Sequence, residues 1–183
     1  ILHMPLLNAV DIQQKSTLSA LCSLDLLLIA LTIVALWWGF GLRTAAVSTL
    51  WLHLYFGNST LLVGGYFHYD WLFWTILAAA LYRKEKFLAA GAVLAYPAMM
   101  RGYPGLLALG PGICLVRALV LRRRVERKHV AFVTALVLSC GLIVGLSSAT
   151  RHGPSAWMDW KEKISKHASI HPTGRQRVGL HFL

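Results

Sequence analysis

The chain has 183 residues, of which 57% are hydrophobic and only 14% are charged, and its formal net charge is +11. Its long apolar runs exceed what the core of one small soluble domain could bury, so the composition predicts a helical membrane protein. The basic residues fall in short clusters between the apolar runs, a pattern typical of topology signals, which argues against a nucleic-acid partner.

The two ends of the sequence and its cysteines set further expectations. Residues 1–17 do not start with Met and show no secretory leader pattern, and the chain stops just after an apolar motif begins. We therefore expect a fragment of a longer protein. Cys22, Cys114 and Cys140 lie in apolar segments without metal-ligand spacing, which favours packing roles over a disulfide or a metal site.

Six apolar segments follow in chain order. Residues 18–40, 65–82 and 130–148 approach the length of about 20 residues that a helix needs to cross a bilayer. Residues 44–56, 87–100 and 106–121 are shorter, which favours half-spanning or buried helices. The sequence therefore predicts an all-α, polytopic transmembrane bundle of about six segments over residues 18–149.

The basic clusters predict the orientation of these segments. Arg43 and the runs at residues 83–86 and 122–128 can all lie on the cytoplasmic side if the six segments alternate in direction. Residues 1–17, residues 68–70, the Arg101 turn and the tail at residues 150–183 then share the non-cytoplasmic face. Every candidate reactive group falls on that face.

The polar tail contains a predicted helix at residues 155–167. Trp157, Trp160 and Ile164 recur at helical spacing, so this helix either lies in the membrane interface or packs on the other helices. Beyond it, His167, His171 and Arg175 would together suit a diphosphate or lipid-phosphate headgroup, although each alone is typical of a solvated loop.

The ionisable pair His68 and Asp70 lies among aromatic residues at the mouth of a predicted helix. Asp70 would satisfy the helix start as an N-cap residue, and it would also suit a general base or a metal ligand beside a phosphate. Asp25, deep in the first segment, is expected to pair with a neighbouring helix or to line a wet cavity.

Arg101 follows an apolar helix and precedes Gly102, Tyr103, Pro104 and Gly105, which break the backbone. A guanidinium at such a break offers a planar fork of donors to a phosphate or carboxylate. The alternative is a loop arginine whose charged group reaches the membrane interface.

Residues 66–110 carry a family resemblance. They contain Tyr69-Asp70-Trp71, a short basic turn at residues 83–86, Ala89-Ala90-Gly91, and Arg101-Gly102-Tyr103-Pro104. This order resembles the polytopic membrane glycosyltransferases of the GT-C superfamily, nearest to the polyprenyl-phosphate-mannose-dependent family 87. The match covers about a quarter of the chain.

The resemblance implies a multi-pass enzyme of the bacterial inner membrane, which transfers a sugar from a polyprenyl-phosphate donor to an acceptor on the non-cytoplasmic face. It also implies an acidic base in the first external loop, sometimes with a divalent cation. Asp11 is the one acidic residue before the first segment, so the base is expected upstream unless a later carboxylate serves. The candidate catalytic residues are Asp70 and His68, and the candidate substrate-binding residues are Arg101, Tyr103, Trp71, His167, His171 and Arg175.

Two other classes of protein stay open. A non-catalytic membrane subunit or assembly protein would use the ionisable residues as caps and interface anchors. A small-substrate transporter would place polar groups at mid-membrane, which only Asp25 favours. The one-sided clustering of candidate residues favours the transferase.

Overall fold

The computed structural model describes residues 15–54, 69–122, 126–149 and 155–169, and within these ranges every regular element is helical. The predicted all-α class is therefore confirmed. The elements are α1 (Lys15–Phe40), α2 (Leu42–Leu54), α3 (Asp70–Arg83), α4 (Phe87–Arg101), a 3₁₀ helix (Tyr103–Ala108), α5 (Leu109–Arg122), α6 (Arg127–Ser148) and α7 (Ser155–Ser169).

Within the described ranges, three stretches are long and apolar enough to cross a membrane: Ser23–Phe40, Tyr103–Leu121 and Arg127–Ser148. The first and third agree with the predicted segments at residues 18–40 and 130–148. The predicted crossing at residues 65–82 is represented among the described residues by α3, which has only 14 residues.

The stretch from Tyr103 to Leu121 is longer than the sequence predicted. The break at Pro104 was expected to leave a short segment at residues 106–121, but the 3₁₀ helix runs directly into α5. Pro104 occupies the first turn of the 3₁₀ helix, where a missing N–H removes no internal hydrogen bond. The chain changes direction at Gly102 instead, whose φ of 71° suits glycine.

Helices α1 and α3 run parallel to each other. Asp25 of α1 contacts the residue before α3, and Gly39, near the other end of α1, faces Ala80 near the end of α3. A Cβ added at Gly39 would lie 2.5 Å from the Cβ of Ala80, so the absence of a side chain permits this close approach.

Helices α3 and α4 form an antiparallel hairpin. Its turn contains Glu85, which has a φ of 60°, and the Lys84 N–H donates to the Ala80 carbonyl. A small core of Ala78, Ala90, Leu94 and Phe132 joins the hairpin to α6. Most large apolar side chains on the helices point outward, as expected of surfaces that face lipid.

These helix directions give the unit formed by His3–Ile143 two distinct ends. What we call the basic end holds Phe40, Arg43, the turn at residues 83–86 and residues 126–129, because His129 contacts Tyr82 and Arg83 lies on Phe40. What we call the aromatic end holds Asp25, residues 69–71, Tyr96 and residues 101–103.

The last turn of α6 and helix α7 belong to a second compact unit, Val144–Leu183 with Ile1–Leu2. The Trp157 indole N–H donates to the Ser147 hydroxyl oxygen, 2.8 Å away. This contact agrees with the packing interpretation of the predicted amphipathic helix for Trp157. The side chains of Trp160 and Ile164 lie outside the described set.

Candidate functional site at the aromatic end

The α3–α4 hairpin brings the beginning of α3 beside the end of α4. Residues 70–71 are therefore neighbours of Tyr96, Arg101 and Tyr103, although 26 to 32 positions separate the contacting pairs in the chain. Helix α1 adds Asp25 because it runs parallel to α3. The aromatic end thus collects three of the candidate site residues, Asp70, Trp71 and Arg101, and a fourth, Tyr103, from the following 3₁₀ helix.

The Asp70 carboxylate is buried and engaged through both oxygens. Asp70 is only 4% exposed. Oδ1 accepts a hydrogen bond from the Trp71 N–H at 2.5 Å, and Oδ2 accepts one from the Tyr96 hydroxyl. Because Tyr69 occupies the N-cap position, Asp70 is the first helical residue, one position later than an N-cap. Its negative charge still lies at the positive end of the α3 dipole.

Asp25 has a partner that sequence reasoning did not identify. Its Oδ1 accepts a hydrogen bond from the backbone N–H of Tyr69 at 3.3 Å, and the residue is 6% exposed. A carboxylate of α1 therefore satisfies a backbone donor at the start of α3. This contact gives the buried carboxyl group a hydrogen-bond donor from a neighbouring helix start.

An exposed layer of arginine and aromatic rings lies beside the buried carboxylates. The Arg101 guanidinium carbon is 5.7 Å from the centroid of the Trp71 ring. The Trp71 ring meets the Tyr103 ring edge-on, with centroids 5.2 Å apart and planes at 72°. Arg101 and Tyr103 are both exposed, Tyr103 at 49%. A cation held over an aromatic face in this way keeps its donors available to a ligand.

The carboxylates and the arginine do not pair directly. Across the described ranges, no ion pair joins Asp70 to Arg101, since the recorded ion pairs all involve Glu126. Arg101 can therefore approach an external phosphate or carboxylate. Asp70 could act as a base only after the Tyr96 hydroxyl left its Oδ2.

Several predicted site residues fall outside what the structure describes. His68, His171 and Arg175 lie in undescribed segments, and His167 belongs to α7 but its side chain is not described. Among the described side chains, no group of three or more His, Cys, Asp or Glu residues could hold a metal ion. A divalent cation thus stays a prediction that rests on the resemblance.

A second polar cluster at the basic end was missed by sequence reasoning. The Tyr82 hydroxyl lies 3.1 Å from His129 Nδ1, and His129 Nε2 lies 3.2 Å from Glu126 Oε2. Lys128 Nζ also reaches the same Glu126 oxygen at 3.2 Å. The i,i+3 spacing of Glu126 and His129 was a visible signal, but the contact with Tyr82 depends on tertiary structure.

Taken together, fold and site define an all-α protein with helices long and apolar enough to cross a membrane, and with an arginine–aromatic cluster at one end. No protein-family model matches the chain, and neither the curated proteins nor the solved structures contain a significant match. The resemblance to GT-C glycosyltransferases therefore stays a prediction.

Proposed function

We propose that the chain is an integral membrane glycosyltransferase, or part of one, that takes a sugar from a polyprenyl-phosphate donor. The observation that carries the proposal is the exposed Arg101 on the Trp71 ring, beside Tyr103, at the aromatic end of the helices. The family resemblance indicates mannose as the sugar and the non-cytoplasmic face as the place of transfer.

The physical argument starts from where such a donor lies. Its polyprenyl chain partitions into the bilayer, which leaves the phosphate and sugar at the interface. A guanidinium at that depth can donate two parallel hydrogen bonds to the phosphate. Exposed aromatic surface beside it can pack against the apolar faces of a sugar ring.

Asp70 is given a positioning role in this proposal. Its carboxylate fixes the first turn of α3, and that turn carries Trp71, on which Arg101 lies. The base would then be His68 or an acidic residue outside the described ranges. A direct role as base requires loss of the Tyr96 hydrogen bond.

The test measures transfer of radiolabelled mannose from polyprenyl-phosphate mannose. It uses membranes from cells that express the whole native open reading frame containing this chain. Arg101→Ala is expected to lower transfer at least tenfold at an equal protein level, while Arg101→Lys retains more activity because the charge remains. Lys161→Ala, an exposed charge on α7, is the matched control and should leave transfer unchanged.

Asp70→Asn separates the two roles of the carboxylate. An amide keeps an oxygen acceptor for the Trp71 N–H, so a positioning residue should retain part of the transfer activity. A catalytic base should lose all of it. The transferase proposal would be wrong if the intact protein transferred sugar from no polyprenyl-phosphate donor.

The second candidate is a non-catalytic membrane subunit, and the burial of Asp70 favours it. Both oxygens of that carboxylate serve contacts inside the protein, as expected of a structural residue. In this case, Arg101→Ala would leave every transfer activity of the membrane unchanged but would lower the amount of another membrane protein that depends on this chain.

A further inference from the structure

An apolar pocket of about 390 Å³ opens at the basic end, near the end of α3 that is opposite Asp70. Helix α3 has 14 residues, so Arg83, which lines the pocket, lies about 20 Å along the helix from Asp70 at a rise of about 1.5 Å per residue. Five elements besides α3 contribute walls to it: α1, α4, the 3₁₀ helix, α5 and α6. The walls include Phe40, Ala78, Tyr82, Leu94, Leu107 and Phe132.

Rigid aromatic packing shapes this pocket. The Tyr82 ring meets the Phe132 ring edge-on, with centroids 5.3 Å apart, and the Tyr82 hydroxyl is held by His129. Ala78 and Leu94 belong to the buried core. The pocket therefore has a fixed wall on the hairpin side and an outer wall formed by Leu107, which is exposed.

A cation stands at the mouth of the pocket. Arg83 is exposed, lines the opening, and has its guanidinium carbon 5.4 Å from the Phe40 ring centroid. Lys84 lies over the neighbouring Trp38 ring at 5.7 Å. Throughout the described parts of the chain, no carboxylate forms an ion pair with Arg83. An apolar slot with an arginine at its rim is complementary to a molecule with an apolar tail and an anionic head.

We propose that this pocket binds one anionic phospholipid, with part of an acyl chain inside the slot and the phosphate on Arg83. A phospholipid combines both required features, and basic sites between helices at a membrane face are suited to anionic headgroups. A free phosphate would gain nothing from the apolar walls. A peptide would bring backbone groups that these walls cannot satisfy.

The experiment measures lipid binding by native mass spectrometry of the full chain in a neutral detergent. Phosphatidylglycerol and phosphatidylcholine with identical acyl chains are added in competition. Wild type should carry one phosphatidylglycerol in at least fivefold preference to phosphatidylcholine. Arg83→Gln should reduce that preference to near one, and Lys161→Gln, the same change on α7, should leave it unaltered.

The apolar slot is tested separately with Ala79→Leu, because Ala79 lines the pocket and the larger side chain would obstruct part of it. This variant should lose the bound phosphatidylglycerol, whereas Ala46→Leu, an equal change at an exposed position on α2, should keep it. The Arg83→Gln result stands by itself if Ala79→Leu does not fold.

Three results would overturn the proposal. The first is an equal preference for both lipids in wild type, and the second is an unchanged preference in Arg83→Gln. The third is displacement of phosphatidylglycerol by inorganic phosphate at matched concentration, which would mean that only the anion is recognised. None of these outcomes depends on sugar transfer.

Discussion

At the scale of single residues, the beginning of α3 depends on two buried carboxylates. Asp70 accepts hydrogen bonds from Trp71 and Tyr96, and Asp25 accepts one from Tyr69. A buried carboxylate is tolerated when donors satisfy it, and the loss of one donor leaves an uncompensated acceptor.

Removing the Tyr96 hydroxyl should destabilise the protein. Tyr96→Phe keeps the ring near Trp74, with centroids 6.0 Å apart in the wild type, but leaves Asp70 Oδ2 without that donor. We expect a loss of about 1–3 kcal/mol in the free energy of unfolding. Thermal unfolding in detergent measures it, and Tyr103→Phe, at an exposed hydroxyl position, is the control. Equal melting temperatures for both variants would contradict the assigned hydrogen bond.

Asp25 should tolerate an amide better than a hydrocarbon. Asp25→Asn retains an oxygen that can accept from the Tyr69 N–H, whereas Asp25→Leu removes it and orphans a buried backbone donor. The leucine variant should therefore have a free energy of unfolding about 1–3 kcal/mol lower than that of the asparagine variant. Thermal unfolding should show this as a lower melting temperature. If leucine proves at least as stable as asparagine, Asp25 does not serve as an acceptor for α3.

At the scale of elements, two glycines allow helices to approach each other. Gly39 of α1 faces Ala80 of α3, and Gly91 of α4 faces the backbone carbonyl of Phe132 in α6. An added methyl group would overlap the neighbouring helix in both cases. Close backbone contacts through small residues are typical of helices packed within membranes.

Both Gly39→Ala and Gly91→Ala should lower stability, by about 1–3 kcal/mol each, because the helices must separate. Gly141→Ala is the matched control, since its added Cβ would meet no atom of another described helix within 4 Å, and alanine is the better helix former. Melting temperatures of the three variants provide the comparison. A Gly91→Ala protein as stable as Gly141→Ala would show that α4 and α6 do not meet at this residue.

At the scale of the whole molecule, the parallel and antiparallel helix directions separate the basic end from the aromatic end of one unit. Arg83 lies on Phe40 and His129 contacts Tyr82, while Arg101 lies on Trp71. The positive-inside rule predicts a cytoplasmic basic end. The aromatic end is then predicted to lie on the non-cytoplasmic side.

Single cysteines introduced into a background without Cys22, Cys114 and Cys140 should reveal opposite sides. Lys86→Cys and Lys128→Cys should react with a membrane-impermeant maleimide only from the cytoplasmic side, and Arg101→Cys only from the other side. All three positions are exposed, so accessibility depends on sidedness. Labelling of Lys86→Cys and Arg101→Cys from the same side would contradict the arrangement of α3 and α4.

Much of the fold was predictable because it depends on local chemistry. Apolar runs at residues 18–40 and 130–148 indicated helices long enough to cross a membrane, and the basic run at residues 83–86 between alternating segments indicated the reversal from α3 to α4. The run at residues 103–121 was misjudged because Pro104 was taken as a break. Proline in the first turn of a helix removes no helical hydrogen bond. Whether Pro104 lies in that turn depends on where the chain reverses, and it reverses at Gly102.

By itself, the sequence determined the helical class, the approximate apolar segments, and the presence of Asp70, Trp71, Arg101 and Tyr103 as candidate residues. Only the tertiary structure decided that Tyr96 donates to the Asp70 carboxylate, that Asp25 accepts from the start of α3, and that Tyr82 contacts His129. Helical periodicity follows from neighbours within four residues, whereas these contacts join residues up to 47 positions apart. They require the packing of whole helices, which no local pattern specifies.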